Sequence, residues 1–183
     1  MKKMSVIAVR LFLSLTLLTG VIYPVTVWVF AQTFFHEKAN GQLMHMEGRA
    51  VGSGLIAQKF TQAKYFWPRP SAVDVNAGVS GGSNSSAISS SLKTRMAVEQ
   101  RRYGKSPAPL DLLTASASGL DPHISPRAAL YQVARVAAAR AYSAEKSQEV
   151  IALIQAQTES RQMGFLGEPR VNVLKLNLAL DRL

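Results

Sequence analysis

From Leu11 to Ala31 the chain reads LFLSLTLLTGVIYPVTVWVFA, 21 residues without a charge. A bilayer core of about 30 Å takes about 20 helical residues at 1.5 Å each, so this run fits a single crossing. Tyr23 and Trp28 lie towards its C-terminal end, where amphipathic rings suit the headgroup level. Pro24 removes a backbone donor and strands the Gly20 carbonyl, which predicts a kink that Thr16 or Thr19 could help to satisfy. Gly20 also offers a close-packing point for a partner helix, although a kink tolerated without a partner explains the same residues. A cleaved signal peptide would share the Lys2-Lys3 opening, but its apolar core is shorter, about 7–15 residues. No small-x-small cleavage site follows either, since Val29-Phe30-Ala31 has a bulky middle residue. The run therefore reads as an uncleaved anchor.

Its direction follows from the flanking charges. Lys2, Lys3 and Arg10 precede it, whereas residues 32–50 carry Lys38 and Arg49 offset by Glu37 and Glu47. The positive-inside bias predicts a cytoplasmic flank over 1–10, a transmembrane helix over 11–31 and an extracytoplasmic domain over 32–183. In a bacterium this means the inner membrane, with the domain in the periplasm. Of the formal net charge of +10, setting aside Lys2, Lys3 and Arg10 leaves +7 on the exported part. Such a surface favours anionic lipid headgroups or an acidic protein partner, and the anchor argues against nucleic acid. A domain of this size buries enough surface to need no staples. The absence of cysteine excludes disulfides, thiolate metal sites and a Cys nucleophile.

Residues 32–47 read as an extension of the anchor helix that breaks near Asn40-Gly41. Residues 48–60 read as turn glycines leading into a strand, and the two prolines of 65–72 enforce an extended segment. A Gly/Ser/Asn loop over 77–91 runs into a polar helix through Lys93 to Tyr103. Leu110–Ala117 reads as a short buried strand. Ser125 with Pro126 is an N-cap and first-turn pair for a helix to about Tyr142, with Ala129, Leu130, Val133, Val136 and Ala137 on one face. Ser143 restarts a helix to about Gln157. The alternation in VNVLKLNLALDRL, 171–183, reads as a strand. Alternating helices and strands predict a small α/β or α+β domain.

Chemistry of its own is hard to find. His36, His45 and His123 are too scattered for a metal site, and there is neither a phosphate-binding G-x-x-x-x-G-K-[ST] loop nor a G-x-S-x-G elbow. An anchored extracytoplasmic hydrolase using a hydroxyl with a Lys base stays open as an alternative, as does a free-standing binding module. Three stretches are dense in residues that fix unusual backbone shapes: Tyr65–Ala72, Ser80-Gly81-Gly82-Ser83-Asn84 and Thr114–Asp121.

These stretches carry a resemblance. Leu18-Thr19-Gly20, Tyr23-Pro24, Ala39-Asn40-Gly41, Gly52-Ser53-x-Leu55-Ile56-x-Gln58-x-Phe60, Tyr65-Phe66, Arg69-Pro70-Ser71-Ala72, Ser80–Asn84, Leu113–Asp121, Ile124-Ser125-Pro126, Gln132-Val133-x-Arg135-Val136-Ala137-x-Ala139-Arg140 and a tail of Gly167-x-Pro169-x followed by Val171–Asp181 occur in an order similar to the C subunit family of the bacterial Kdp system, a potassium-transporting P-type ATPase. The Ser85–Ser89 continuation is richer in serine than is usual there. The resemblance implies a non-catalytic subunit, without its own cofactor or metal, in a complex that uses ATP and potassium. Its implied partners are a channel-like potassium-binding subunit, a P-type ATP-hydrolysing subunit and a small membrane peptide. Two roles follow from it. In one the chain is a catalytic chaperone that raises ATP affinity, with Gln132 as the nucleotide-contact candidate. In the other it serves the potassium entrance, with Arg69, Ser71, Ser80, Gly81, Gly82, Ser83, Asn84, Ser118, Gly119 and Asp121 as partner-facing candidates, and Gly20 and Pro24 packing the anchor. The predicted topology favours the second role, since ATP is not available outside the cytoplasm.

Overall fold

A computed structural model describes residues 2–46, 48–104 and 107–183. The chain divides into two units, residues 1–43 and 44–183. In the first, helix α1 (Lys2–Leu17) passes through one π-helical turn (Leu18–Ile22) into α2 (Tyr23–Phe34). Lys3–Phe34 is long and apolar enough to cross a membrane, and none of its apolar window is buried within the protein. The expected disturbance at Pro24 takes the form of the π turn, in which the Tyr23 N–H reaches back to the Leu18 carbonyl. Widening the turn just before a proline relieves the clash of its ring with the preceding turn. Thr19 Oγ1 donates to the Leu15 carbonyl and Thr26 Oγ1 to the Ile22 carbonyl, each at 2.8 Å. The helix breaks at Phe35 (φ −135°, ψ 36°), and a short α3 (His36–Ala39) ends at the predicted Asn40-Gly41 turn.

The second unit is a mixed α/β domain. Strands β1 (Leu43–Met46) and β2 (Arg49–Ser53) form a two-stranded sheet. After a long irregular stretch comes α4 (Ser90–Tyr103), capped by the Ser89 side chain accepting from the Leu92 N–H. Then follow β3 (His123–Ile124), α5 (Pro126–Ala139), α6 (Ala144–Ala156), β4 (Thr158–Glu159), β5 (Arg170–Asn172) and α7 (Val173–Leu180). The second sheet is antiparallel in the order β3-β5-β4, with Ile124 and Thr158 on either side of Val171. Helix α6 packs against both α5 and α7. Ala128, Ala129 and Val136 of α5, Val150 and Ile154 of α6, Val171 of β5, and Leu176 and Leu180 of α7 meet in one core, closed by Phe66 and Leu112 from the irregular segments. Both predicted caps are present, Ser125 accepting from the Ala128 N–H and Ser143 from the Lys146 N–H.

Three expectations are corrected. The C-terminal segment is a strand only to Asn172 and is then helical. Asn172 caps α7 by accepting from the Lys175 N–H, and the buried set Val173, Leu174, Leu176, Asn177 and Leu180 follows a helical repeat. Leu110–Ala117 is not a strand: Pro109 leads into a tight turn over Leu110–Leu112, with the Thr114 N–H and hydroxyl both donating to the Leu110 carbonyl. The strand expected over 48–60 stops at Ser53, whose hydroxyl accepts from the Leu55 N–H to start a turn. On α5, Leu130 is 42 % exposed and Gln132 is buried beside Val133.

Candidate functional site

The three unusual stretches come together. Ser71 Oγ donates to the Gly119 carbonyl at 2.7 Å and accepts from the Val73 and Val75 N–H groups, so one hydroxyl ties its own turn to the third stretch. The Ser116 N–H donates to the Pro70 carbonyl, and the Gly81 N–H and Ser80 hydroxyl both donate to the Ser118 carbonyl. Gly119 has φ +70°, and a Cβ there would lie 2.6 Å from Val73 and 2.7 Å from the Gly81 carbonyl. A Cβ at Gly82 would lie 2.8 Å from the Ala117 carbonyl. Both glycines are therefore required by close backbone approach. Asn84 is exposed at φ 48°, beyond the contact, and Ser83 contributes its carbonyl to the Ser85 hydroxyl.

Arg69 lies at the centre of this cluster, its guanidinium 3.3 Å from Asp121 and within reach of the Ala115 carbonyl. Burial alone would raise the Asp121 pKa. Hydrogen bonds from the His123 ring and N–H, with the Arg69 charge, outweigh it and hold the carboxylate below its usual value. Arg69 lines shallow pockets on different sides of the cluster, one of about 180 Å³ shared with Lys59, Trp67 and Arg102. Among the described residues no group of three or more His, Asp or Glu side chains could hold a metal ion.

Gln132, on α5, holds the first of these stretches from beneath the Trp67 backbone. It is 1 % exposed, its Oε1 accepts from the Trp67 N–H at 2.8 Å, and its Nε2 donates to the Trp67 carbonyl at 3.1 Å. Asn177, also 1 % exposed, does the same to the preceding residue: Oδ1 accepts from the Phe66 N–H at 2.8 Å and Nδ2 donates to the Phe66 carbonyl at 3.0 Å. Two side-chain amides, one from α5 and one from α7, thus take the place of a neighbouring strand for two consecutive residues. The nearby arginines finish the clamp. Arg135 donates to the Ala63 and Tyr65 carbonyls and stacks 3.7 Å from the centre of the Trp67 ring. Arg140 donates to the Lys64 carbonyl and pairs with Asp181 at 2.5 Å. Burial lowers the Arg135 pKa to about 10, which leaves it charged at neutral pH, and raises Tyr103, whose ring is tilted against Trp67, to about 12. A third buried amide, Asn172, donates to the Gly54 carbonyl at 2.8 Å.

Sequence reasoning missed these uses of Asn172, Asn177, Arg135 and Arg140. The one local signal was an asparagine standing at an apolar position of a leucine-rich helix. Gly20, by contrast, lies open in the anchor, where an added Cβ would meet nothing within 4 Å.

An apolar N-terminal helix long enough to cross a membrane, followed by a small mixed α/β domain, defines a class: a single-pass membrane protein with one folded domain. The family model described as K+-transporting ATPase, c chain (KdpC), matches residues 5–182, and the chain belongs to that family. Relatives named potassium-transporting ATPase KdpC subunit match nearly the whole length. The one from Polynucleobacter asymbioticus is 50 % identical over 99 % of both chains. That from Burkholderia ambifaria is 53 % identical over 94 % of this chain and 93 % of its own. That from Methylococcus capsulatus is 50 % identical over 96 % of each.

Proposed function

We propose that this chain is the accessory, non-catalytic subunit of an ATP-driven potassium uptake pump, and that it acts at the potassium entrance rather than on the nucleotide. In this reading residues 1–10 are cytoplasmic, 11–31 cross the inner membrane and 32–183 form a periplasmic domain. The partners are a channel-like potassium-binding subunit, a P-type ATP-hydrolysing subunit and a small membrane peptide. The single observation that carries the choice of role is Gln132. Its amide oxygen already accepts from the Trp67 N–H and from Arg135, and its nitrogen donates to the Trp67 carbonyl. A nucleotide could reach it only after the core opened. The flank charges, which favour a cytoplasmic N-terminus, point the same way.

The loops that present Arg69, Ser71, Ser80–Asn84, Ser118, Gly119 and Asp121 are then the surface offered to the channel-like subunit. A reporter fused to the C-terminus tests the topology. ATPase activity of the reconstituted pump, titrated separately with potassium and with ATP, tests the role. Arg69→Gln is expected to shift the apparent potassium affinity several-fold at unchanged ATP dependence. A several-fold rise in the apparent KM for ATP in Gln132→Ala, in a pump of normal assembly, would restore the chaperone role.

A further inference from the structure

Between Asp74 and Asp111 the chain carries five Lys or Arg residues and a single acid, Glu99, so this stretch holds +4 of the +7 found beyond the anchor. Four of the five lie on α4, a helix with no buried residue. Its half-buried side, with Leu92, Met96 and Tyr103, is turned to the domain, where Tyr103 meets Trp67 and Tyr131. The opposite side is exposed and carries no acid. Thr94, Ala97, Val98 and Arg101 run along its middle, and Lys93 and Arg95 flank them. Among the described residues Arg102, paired with Glu99 at 2.8 Å, is the one cation of α4 with an acidic partner. Lys93 and Arg101 form no ion pair, and the Arg95 guanidinium donates to the neutral Ser85 hydroxyl.

We propose that this face of α4 docks on anionic phospholipid headgroups of the bilayer that holds the anchor. Lys3–Phe34 is long and apolar enough to cross a membrane, and only residues 35–43 lie between it and the domain. A lipid surface is therefore always present at high effective concentration. The composition of the face suits headgroups better than an acidic protein. A protein interface is anchored by large side chains that fill a pocket, and Lys is depleted there. Here the middle of the face is mostly Thr, Ala and Val, small enough for the helix to lie flat. The cations stand on long stems, free to follow mobile phosphates. Val98, 49 % exposed, and Ile88, 86 % exposed just before the Ser89 cap, are the apolar groups placed at the headgroup boundary.

The test uses the full chain in lipid nanodiscs. Because the chain has no cysteine, Val98→Cys takes a single environment-sensitive dye on the exposed face. In discs containing phosphatidylglycerol the dye is expected to shift to the blue and to be protected from a neutral water-soluble quencher. In phosphatidylcholine discs it should stay in water. Salt at about 1 M, which screens charges beyond about 3 Å, should reverse the shift. Lys93→Gln with Arg101→Gln in the labelled chain removes two cations outside any ion pair, so the melting temperature should stay unchanged. The ratio of docked to free domain should fall about tenfold or more, since each cation near an anionic surface changes it about fivefold. Equal signals in the two kinds of disc, or a double variant that docks like the wild type, overturn the proposal. A shift that appears only when the other pump chains are added, and equally in phosphatidylcholine, overturns it in favour of an acidic protein face.

Discussion

Gln132 and Trp67, 65 positions apart, hold each other in a closed ring of two hydrogen bonds: the side-chain amide of one faces the backbone N–H and carbonyl of the other. Gln132 is buried and its bonds to the half-buried Trp67 backbone are shielded in part, so truncating it leaves two backbone groups without these partners at a cost of up to about 1–3 kcal/mol each before relaxation. Gln132→Ala is therefore expected to lower the melting temperature of the purified full chain by several degrees. A native melt for Gln132→Ala would show that the amide is dispensable to the fold.

Asn177 grips Phe66, the residue before Trp67, so the two amides act on one short segment. Residues that share a partner segment couple by about 0.5–3 kcal/mol. The double variant Gln132→Ala with Asn177→Ala should be less destabilised than the sum of the singles, since the first loss already frees the segment. Denaturant midpoints for the four proteins of the cycle measure the coupling, and strict additivity would separate the two clamps.

At Gly119 the positive φ alone disfavours a β-branched residue by about 1–3 kcal/mol, and the contacts at Val73 and the Gly81 carbonyl add to that. Gly119→Val is expected to lower the melting temperature and to loosen the Ser71–Gly119 and Gly81–Ser118 bonds together. Hydrogen exchange at the Gly81 amide reads the second effect. Protection at Gly81 equal to wild type would mean that the stretches are held independently.

The Asp121 carboxylate is held below its ordinary value of 3.8, against burial, by His123 and Arg69. A depressed folded-state pKa gives stability that is fully present above the unfolded value and lost as pH falls through the folded one. Acidification below about pH 4 should therefore weaken the domain. Asp121→Asn should lower stability at neutral pH and flatten the acid slope. Melting temperatures of both proteins across that range decide the matter, an unchanged slope being the failing result.

Features that depend on a few adjacent residues were legible from the chain alone. Ser125-Pro126 and Ser143 set the starts of α5 and α6 because capping is a matter of one turn, and Gly119 signalled its own backbone shape. The last helix was not legible. Leu174, Leu176, Leu178 and Leu180 alternate like a strand, and what decides for a helix is the Asn172 cap together with the demand of Phe66 for Asn177. The density of Gly, Ser and Pro marked the three loops but not their union, which rests on bonds such as Ser71–Gly119 between residues 48 positions apart. Gln132 drew notice only through the resemblance, and its bonds to the backbone of Trp67, 65 positions away, were beyond the reach of the sequence.

The π turn at Leu18–Ile22 inserts one residue into the anchor. Each residue turns a helix by about 100°, so side chains beyond Ile22 are out of phase with those before Leu18 by about that angle. A scan of single replacements along the anchor, scored for assembly with the pump, should consequently resolve into two periodic series with a slip between them. Residues on one stripe of a helical wheel drawn for the whole span would then belong to different faces of the anchor, and two stripes joined across the slip would mark a single partner.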